Sequence, residues 1–379
     1  MRPIGLYLHF PYCWSKCHYC AFNSIRYDRE QSRGLLRALA AELGRYAPLA
    51  AGRRVATVFL GGGTPSIFGA DEILDVLAAA RSGFDVAADA EITLEANPGT
   101  VRADKLRQLR AGGVNRLSLG VQSFWDDELR YLGRAHSAAT AGAAFDAARG
   151  AGFDNINLDF IYGFAGHSAA RWRATLARAL ALGPEHLSAY ALTIEDGTAF
   201  GTAVATGAMV APDEDEQQRL WQWHRDFLGD HGFNPYEISN FARPGRACRH
   251  NLGYWSQEEY IGVGPGAHSY FDRRRFANIT DIARYVDTAL AGENTVAEDE
   301  AVPSELALRE AVILGLRMER GIHLDELARR FNRPLPVGIV QRLERLAQDR
   351  LAIFNPPRVR LSPAGLALCD GIAVELLAA

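Results

Sequence analysis

Short apolar runs alternate with longer stretches in which leucine or alanine recurs every three or four positions, and this alternation repeats through the first half of the chain. Residues 5–10 form the first run; after a loop, Leu35, Leu36, Leu39 and Leu43 mark one face of a helix. Residues 55–60, the loop Gly61-Gly62-Gly63-Thr64-Pro65 and a helix through Ile73, Leu74 and Leu77 make a second unit. Residues 91–96, the loop Asn97-Pro98-Gly99 and a helix through Leu106 and Leu109 make a third. The fourth joins residues 116–121 to a helix centred on 143–148. The fifth joins residues 156–162, through the loop 163–166, to a helix around 172–182, and residues 187–194 follow as a sixth strand.

Strands alternating with amphipathic helices at this spacing form βαβ units and a parallel sheet. Right-handed crossovers wind such units into an open doubly wound sheet or into a barrel, and the pattern leaves both open. Both architectures place their sites at the C-terminal ends of the strands. The glycine-bearing and polar loops of this chain lie there.

Beyond Glu195 the rhythm changes. Asp213-Glu214-Asp215-Glu216 opens a helix running through Trp221 and Phe227, with acids suited to its first turn. Residues 234–239 read as a strand and 249–260 as a polar, aromatic loop. Residues 262–266 hold three glycines and Pro265, which demands a sharp turn or a close approach. From Ser304, helical patterns over 304–318, 324–331 and 337–351, a strand signal at 358–360 and a last helix to 377 outline a winged helix. Its third helix carries Arg342, Arg345 and Arg350 but also Glu344 and Asp349, so it reads as a packing or interaction module and no specific nucleic acid is expected. The expected division is a barrel-type domain over 1–240, a connecting segment over 241–303 and a small winged-helix-like domain over 304–379.

With 379 residues, 48% hydrophobic and 23% charged, the chain builds an ordinary core without staples. A net charge of −4 gives no chain-wide attraction to nucleic acid. No long apolar region precedes Cys13 and no run of about eighteen apolar residues occurs, so neither an export signal nor a transmembrane segment is expected. A cytoplasmic protein without disulfides is the expectation.

Three of the five cysteines, Cys13, Cys17 and Cys20, form C-x3-C-x2-C in the loop after the first strand, whereas Cys248 and Cys369 are isolated. Structural zinc takes four protein ligands, and the fourth here would be His9, His18 or a distant group. A cubane iron–sulfur cluster takes one thiolate per iron, so three cysteines leave one iron open to chemistry. The cluster is favoured, with zinc as the alternative.

This cysteine pattern on the first loop of a six-unit β/α chain, with GGGTP after the second strand, resembles the radical S-adenosylmethionine (SAM) superfamily. LYLHFPYC, FLGGGTPS, EITLEANPGT, NRLSLGVQSF, LGRAHS, NLDFIYG, LSAYALTIEDGT, YEISNFARPG and RHNLGYW, in that order over nearly the whole chain, resemble the coproporphyrinogen III oxidase-like family within it. The resemblance implies a partial (β/α)6 barrel with a [4Fe-4S] cluster on Cys13, Cys17 and Cys20. The fourth iron chelates the amino and carboxylate groups of SAM, and the reduced cluster cleaves the sulfonium to a 5′-deoxyadenosyl radical. By position it implies Tyr7, Tyr19, Gly62, Gly63, Thr64, Glu95, Gln122, Arg134, Asp159, Ala191 and His268 as cofactor or substrate contacts. Unobstructed N–H groups at Gly62 to Thr64 suit the amino acid end of SAM, unless the glycines only serve a tight turn. Glu95 suits its ammonium or ribose hydroxyls, or else a salt bridge at a strand end. Arg134 is a natural partner for a carboxylate.

The family has an oxidase branch and a haem-chaperone branch, HemW. The oxidases resembled here carry a further cysteine two residues after the triad, where this chain has Phe22, and a long N-terminal extension, where twelve residues precede Cys13. The segment Arg249–Trp255 resembles the H-N-x-x-Y-W signature of the chaperone branch, through His250, Asn251, Tyr254 and Trp255. Neutral imidazole ligates haem iron and aromatic side chains cover a macrocycle, although the same residues also suit a packed structural loop. Cys248 is an alternative thiolate ligand or plain packing. The implied function is a haem chaperone whose partners are haem, client haemoproteins and an electron donor to the cluster. The alternative is an oxygen-independent coproporphyrinogen III dehydrogenase, and whether SAM is cleaved in function stays open.

Overall fold

The computed structural model describes residues 2–378. All six expected strands are present: β1 (Ile4–Phe10), β2 (Arg54–Gly62), β3 (Asp85–Ala96), β4 (Arg116–Gln122), β5 (Ile156–Tyr162) and β6 (His186–Ala191). They pair in chain order and in parallel. The crossovers are α1 (Arg29–Tyr46), α2 (Ala70–Gly83), α3 (Ala103–Ala111), α4 (Ala138–Gly150) and α5 (Ala169–Leu182). β6 ends at Ala191, short of residue 194, because the chain then turns across the mouth of the sheet.

Side-chain alternation makes this sheet curl around a polar interior. Leu6, Leu8 and Phe10 on β1, Leu117, Leu119 and Val121 on β4, and Ile156, Leu158 and Phe160 on β5 are buried in the core shared with the helices. The intervening positions are polar or small: Gly5, Tyr7 and His9; Arg116, Ser118, Gly120 and Gln122; Asn157 and Asp159. These meet one another across the concave side, where Ser118 Oγ donates to Asp159 Oδ2 at 2.9 Å and the Tyr7 ring stacks on Phe59 at 6.2 Å. Apolar outward and polar inward is the pattern of a partial barrel wrapped by helices.

Past α6 (Glu214–Asp230), whose N-terminus is capped by Asp213, come two short antiparallel strands, β7 (Asn234–Pro235) and β8 (Asn240–Ala242), with a turn between them. The strand expected over 234–239 is thus only two residues long. The loop expected over 249–260 begins as a helix, α7 (Arg249–Trp255). Its N-terminal donors are capped by Glu91 of β3, which accepts from Arg249 N at 2.9 Å and His250 N at 3.1 Å, and no local residue signals this cap.

The segment 241–303, expected to connect two domains, extends the sheet instead. β9 (Tyr260–Val263) pairs in parallel with β1, and antiparallel β10 (His268–Phe271), β11 (Arg274–Asn278) and β12 (Val296–Ala301) follow. The full order is β12-β11-β10-β9-β1-β2-β3-β4-β5-β6-β8-β7. The glycine turn after β9 meets the back of the cysteine loop. Gly264 has φ +114°, and a Cβ there would lie 2.7 Å from the His9 carbonyl oxygen. Asn23 Nδ2 donates to the carbonyls of Pro265 at 3.2 Å and Thr280 at 3.0 Å.

The C-terminal part forms the expected winged helix. Helices α9 (Ser304–Leu316), α10 (Leu324–Phe331) and α11 (Val337–Gln348) follow α8 (Ile282–Leu290) of the sheet domain. A three-stranded antiparallel sheet joins β13 (Ile322–His323), β15 (Arg358–Leu361) and β14 (Ala352–Asn355) in that order. The unit docks on the end of α7: Arg330 donates to the carbonyls of Ser256 and Gln257, and the Arg317 guanidinium lies 4.9 Å from the Trp255 ring centre. Among the described residues no helix is long and apolar enough to cross a membrane.

One buried carboxyl ties α1 to the turn. Glu42 accepts from Gly264 N at 2.8 Å, Asn278 Nδ2 at 2.9 Å, and the hydroxyls of Tyr285 and Thr295. Burial raises its pKa, and these bonds oppose the rise. Tyr285→Phe leaves one lone pair of a buried acid unpaired and is expected to cost about 1–3 kcal/mol in urea unfolding. A loss within error of zero would show that the network holds nothing.

Candidate functional site

The cysteine loop is stitched down on several sides. Tyr12 and Cys13 pair in parallel with Ile25 and Arg26, and Tyr27 N donates to Cys13 O at 2.8 Å. His18 Nδ1 donates to Tyr131 O at 2.8 Å, while Phe200 N donates to His18 O at 2.9 Å. Tyr7 OH donates to His9 Nδ1 at 2.9 Å, and His9 Nε2 donates to Asn23 O at 2.9 Å. Cys13, Cys17 and Cys20 are free thiols, partly exposed, and line a cavity of about 560 Å³ at the C-terminal ends of the strands.

Donors already point at the sulfurs: Thr64 Oγ1 lies 3.5 Å from Cys13 Sγ and Arg134 Nη1 lies 3.3 Å from Cys17 Sγ. Burial raises the thiol pKa of Cys13 and Cys20, so ligation must draw their protons off. Both ring nitrogens of His9 are committed, and among the described residues no three His, Cys, Asp or Glu side chains come close enough to share one ion.

The rest of the cavity wall comes from the following strands. Gly63 has no room for a side chain, since a Cβ would lie 2.7 Å from Tyr12 O and 2.9 Å from Phe10 O. Gly62 N donates to Glu95 Oε2 at 3.0 Å. Gln122 sits at φ +66°, a conformation unusual for a side-chain-bearing residue, and its buried Oε1 has no partner. Arg134 donates through Nη2 to Gly120 O at 2.8 Å, while its buried Nε is unpaired. Tyr19, Thr64, Asp159 and Ala191 line the same space. The N–H groups of Gly62 to Thr64, expected to be unobstructed, are all spent inside the protein, because Gly63 N donates to Phe10 O and Thr64 N to Tyr12 O, each at 2.8 Å, so these glycines serve the tight approach of the loop. Free thiols, unpaired buried donor and acceptor atoms, and two half-buried carboxyls fit a cluster together with a ligand carrying ammonium, carboxylate and hydroxyl groups.

Other expected contacts lie elsewhere. Tyr7 stands behind the cavity wall, its hydroxyl spent on His9. His268 is exposed at the start of β10, a strand that lies beyond β9 and outside the six-stranded barrel that surrounds the cavity. The tetrad His250, Asn251, Tyr254 and Trp255 lies on α7 at the opposite, N-terminal end of the barrel strands. His250 is buried against Phe59, with Nδ1 2.7 Å from Thr57 Oγ1 and Nε2 2.9 Å from the Tyr254 hydroxyl. Burial, reinforced by Arg116, lowers its pKa to about 3, so it is neutral. No ring nitrogen is left for a metal. Asn251 Nδ2 donates to Tyr236 OH at 3.3 Å. The Cys248 thiol lies 3.4 Å from Glu91 Oε1 and is pushed up to about 12 by burial, so it is not a thiolate.

Several cavity residues were not singled out from the sequence, among them Asn97, Ser118, His136, Tyr190 and Glu195. A signal existed for Ser118, because in RLSLGVQ every second residue is polar or glycine while the others are apolar. The Trp14 and Phe22 side chains at the cavity rim are 54% and 67% exposed, which makes the rim apolar.

Glu95 is half-buried in the cavity wall. Burial, then the charge of Asp159, raise its pKa to about 8, against the Gly62 N–H and Arg116. The folded state therefore binds a proton that the unfolded chain has released near 4.5, so stability falls as pH rises from about 4.5 to about 8 and levels off above. In ligand-free protein Glu95→Gln is expected to flatten much of that fall, by an amount on the order of a few kcal/mol. Thermal unfolding of both proteins at pH 5 and pH 8 reads the difference, and parallel curves would contradict it.

Residues 7–179 match the radical SAM superfamily and residues 302–368 match the HemN C-terminal domain. The chain is 36% identical to the heme chaperone HemW of Mycobacterium tuberculosis over 99% of its own length and 95% of that protein. It is 42% identical to heme chaperone HemW of Escherichia coli over 71% of this chain and 70% of that one. A bovine relative, radical S-adenosyl methionine domain-containing protein 1, mitochondrial, is 35% identical over 98% of this chain and 87% of its own. Among solved structures, coproporphyrinogen III oxidase (HemN) from Escherichia coli superposes with a TM-score of 0.85 at 26% identity, covering 99% of this chain and 90% of that one. With its cysteine loop, its partial barrel and relatives matched along nearly the full length, the chain belongs to the radical SAM superfamily and, within it, to the HemW family.

Proposed function

We propose that the protein takes up haem and delivers it to client haemoproteins, on a scaffold that carries a [4Fe-4S] cluster and SAM. The superfamily implies the cluster and SAM. The observation that carries the chaperone reading is similarity along nearly the whole chain to proteins named heme chaperone. Phe22 supports it, an exposed aromatic two residues past Cys20, where the oxidases resembled have a further cysteine.

In this reading Cys13, Cys17 and Cys20 hold the cluster, and Thr64 and Arg134 donate to the sulfurs. Gly62 and Gly63 let the second loop pack against His9 and the backbone of the cysteine loop, which shapes the cavity wall, while Glu95, Gln122 and Asp159 offer acceptors to the ammonium and hydroxyl groups of SAM. Tyr19 and Ala191 complete the wall. Bound there, the reduced cluster supplies an electron for one-electron chemistry on the sulfonium. An electron donor is a partner, and the cytoplasm, where free thiols persist, is the compartment.

The second reading, an oxygen-independent coproporphyrinogen III dehydrogenase, is favoured by the superposition on HemN. Anaerobic protein with reconstituted cluster separates the two. Haem uptake followed by transfer to an apo-haemoprotein, with no turnover of coproporphyrinogen III, is expected; steady formation of protoporphyrinogen would overturn the chaperone reading.

Since both ring nitrogens of His250 are used within the core, His250→Ala is expected to lower stability by about 1–3 kcal/mol while leaving haem stoichiometry intact. A folded variant that takes up no haem would instead make His250 a ligand.

A further inference from the structure

Five polar side chains link the floor of the barrel to the cavity, and their chemistry fixes the direction of every hydrogen bond between them. At the cavity end Asp159 accepts from Asn157 Nδ2 at 2.8 Å and from Ser118 Oγ at 2.9 Å. Ser118 has spent its proton on Asp159 and can only accept, so Asn157 must present its amide nitrogen on this side. The same nitrogen also meets Ser118 Oγ at 2.8 Å. Asn157 Oδ1 therefore faces His186 Nδ1 at 2.6 Å, and that nitrogen must carry the proton.

His186 is buried, and burial, then Arg116, lower its pKa well below the usual value, so the ring is neutral. Its Nε2 is consequently a bare lone pair and accepts from the Tyr236 hydroxyl at 2.9 Å. Tyr236 has then spent its only proton, and its oxygen accepts from Asn251 Nδ2 at 3.3 Å. Every donor from Asn251 on α7 to Asn157 on β5 points toward Asp159. Bonds aligned head to tail polarise one another, so each strengthens the next. Asn157 interrupts any proton transfer, because an amide does not pass a proton along such a row at ordinary cost. The row is a polarised chain and not a proton wire.

We propose that Asn251, Tyr236 and His186 are positioning residues that hold Asp159 ionised and oriented for its ligand, through this one-way chain. The proposal rests on the reading that Asp159 lines the SAM site. It gives the Asn of the His250-to-Trp255 tetrad a task at a distance from any haem. Burial alone pushes the Asp159 carboxyl up, and the bonds from Ser118, Ser188 and Asn157 act against this. The other charged or titratable groups facing it are Glu95 from β3, Arg116 from β4 and Tyr190 from β6.

The test uses the full-length protein without ligand. Infrared titration of buried carboxyl groups, with the Asp159 band assigned by its loss in Asp159→Asn, follows ionisation directly. Tyr236→Phe removes one hydroxyl with little change of volume and is expected to move the Asp159 titration upward by on the order of half a pH unit. Asn251→Ala removes only the first donor and moves it less, in the same direction. Tyr254→Phe removes an equally buried hydroxyl on α7 that is off the chain, and leaves it unmoved. An unmoved titration in both chain variants overturns the proposal, as does an equal shift in Tyr254→Phe, which would report general loosening of the floor. SAM binding measured in parallel is expected to weaken in Tyr236→Phe by about twofold at the pH where Asp159 of the unaltered protein is half-titrated. If the titration shifts while even the unaltered protein binds no SAM, the chain stands and the cofactor reading falls.

Discussion

The structure depends on keeping charge inside a curled sheet. Glu95 and Asp159 are both largely withdrawn from water, Asp159 raises the cost of ionising Glu95, and Arg116 is a cation that eases both. Such an arrangement is expensive in a closed hydrophobic core. It persists here because the concave face is lined with serine, asparagine and histidine, and because apolar packing has moved to the outer face beneath the helices. The half-barrel thus holds acceptors and unpaired donors in place along one cavity wall.

The same constraint explains what lies on the floor. A polar interior open at its N-terminal end would admit water to Arg116 and Glu91. Helix α7 closes that end with the rings of His250 and Tyr254, while Glu91 takes up the N–H groups of its first turn. A sequence motif that looks like a metal ligand beside aromatic rings is here a stopper, and its chemistry is turned inward to Thr57 and Tyr236.

Much of this was legible in the sequence. The six β/α units stand out because helical and strand periodicities are local. The cysteine triad, Gly62 to Thr64, Glu95, Gln122, Arg134, Asp159 and Ala191, singled out from the sequence, line one cavity. What escaped was non-local. Helix α7 is capped by a residue of a distant strand, so its own sequence reads as a loop. The strands β9 to β12 are short and partly charged, and only their pairing with β1 makes them part of the sheet. His268 lies outside the cavity, because β10 pairs beyond β9 and away from the six barrel strands, a placement that only the long-range pairing reveals.

The cysteine loop lies near the start of the chain, yet Asn23 at its far end is held by the carbonyls of Pro265 and Thr280, across a separation of 257 residues in the longer case. During synthesis the three thiols emerge early, but one of their anchors is made only after most of the barrel has been synthesised. Metal delivered to the nascent chain would meet an unshaped loop, so orderly cluster insertion belongs after the last edge strands have joined the sheet. The order of maturation is written into which end of the chain holds the other.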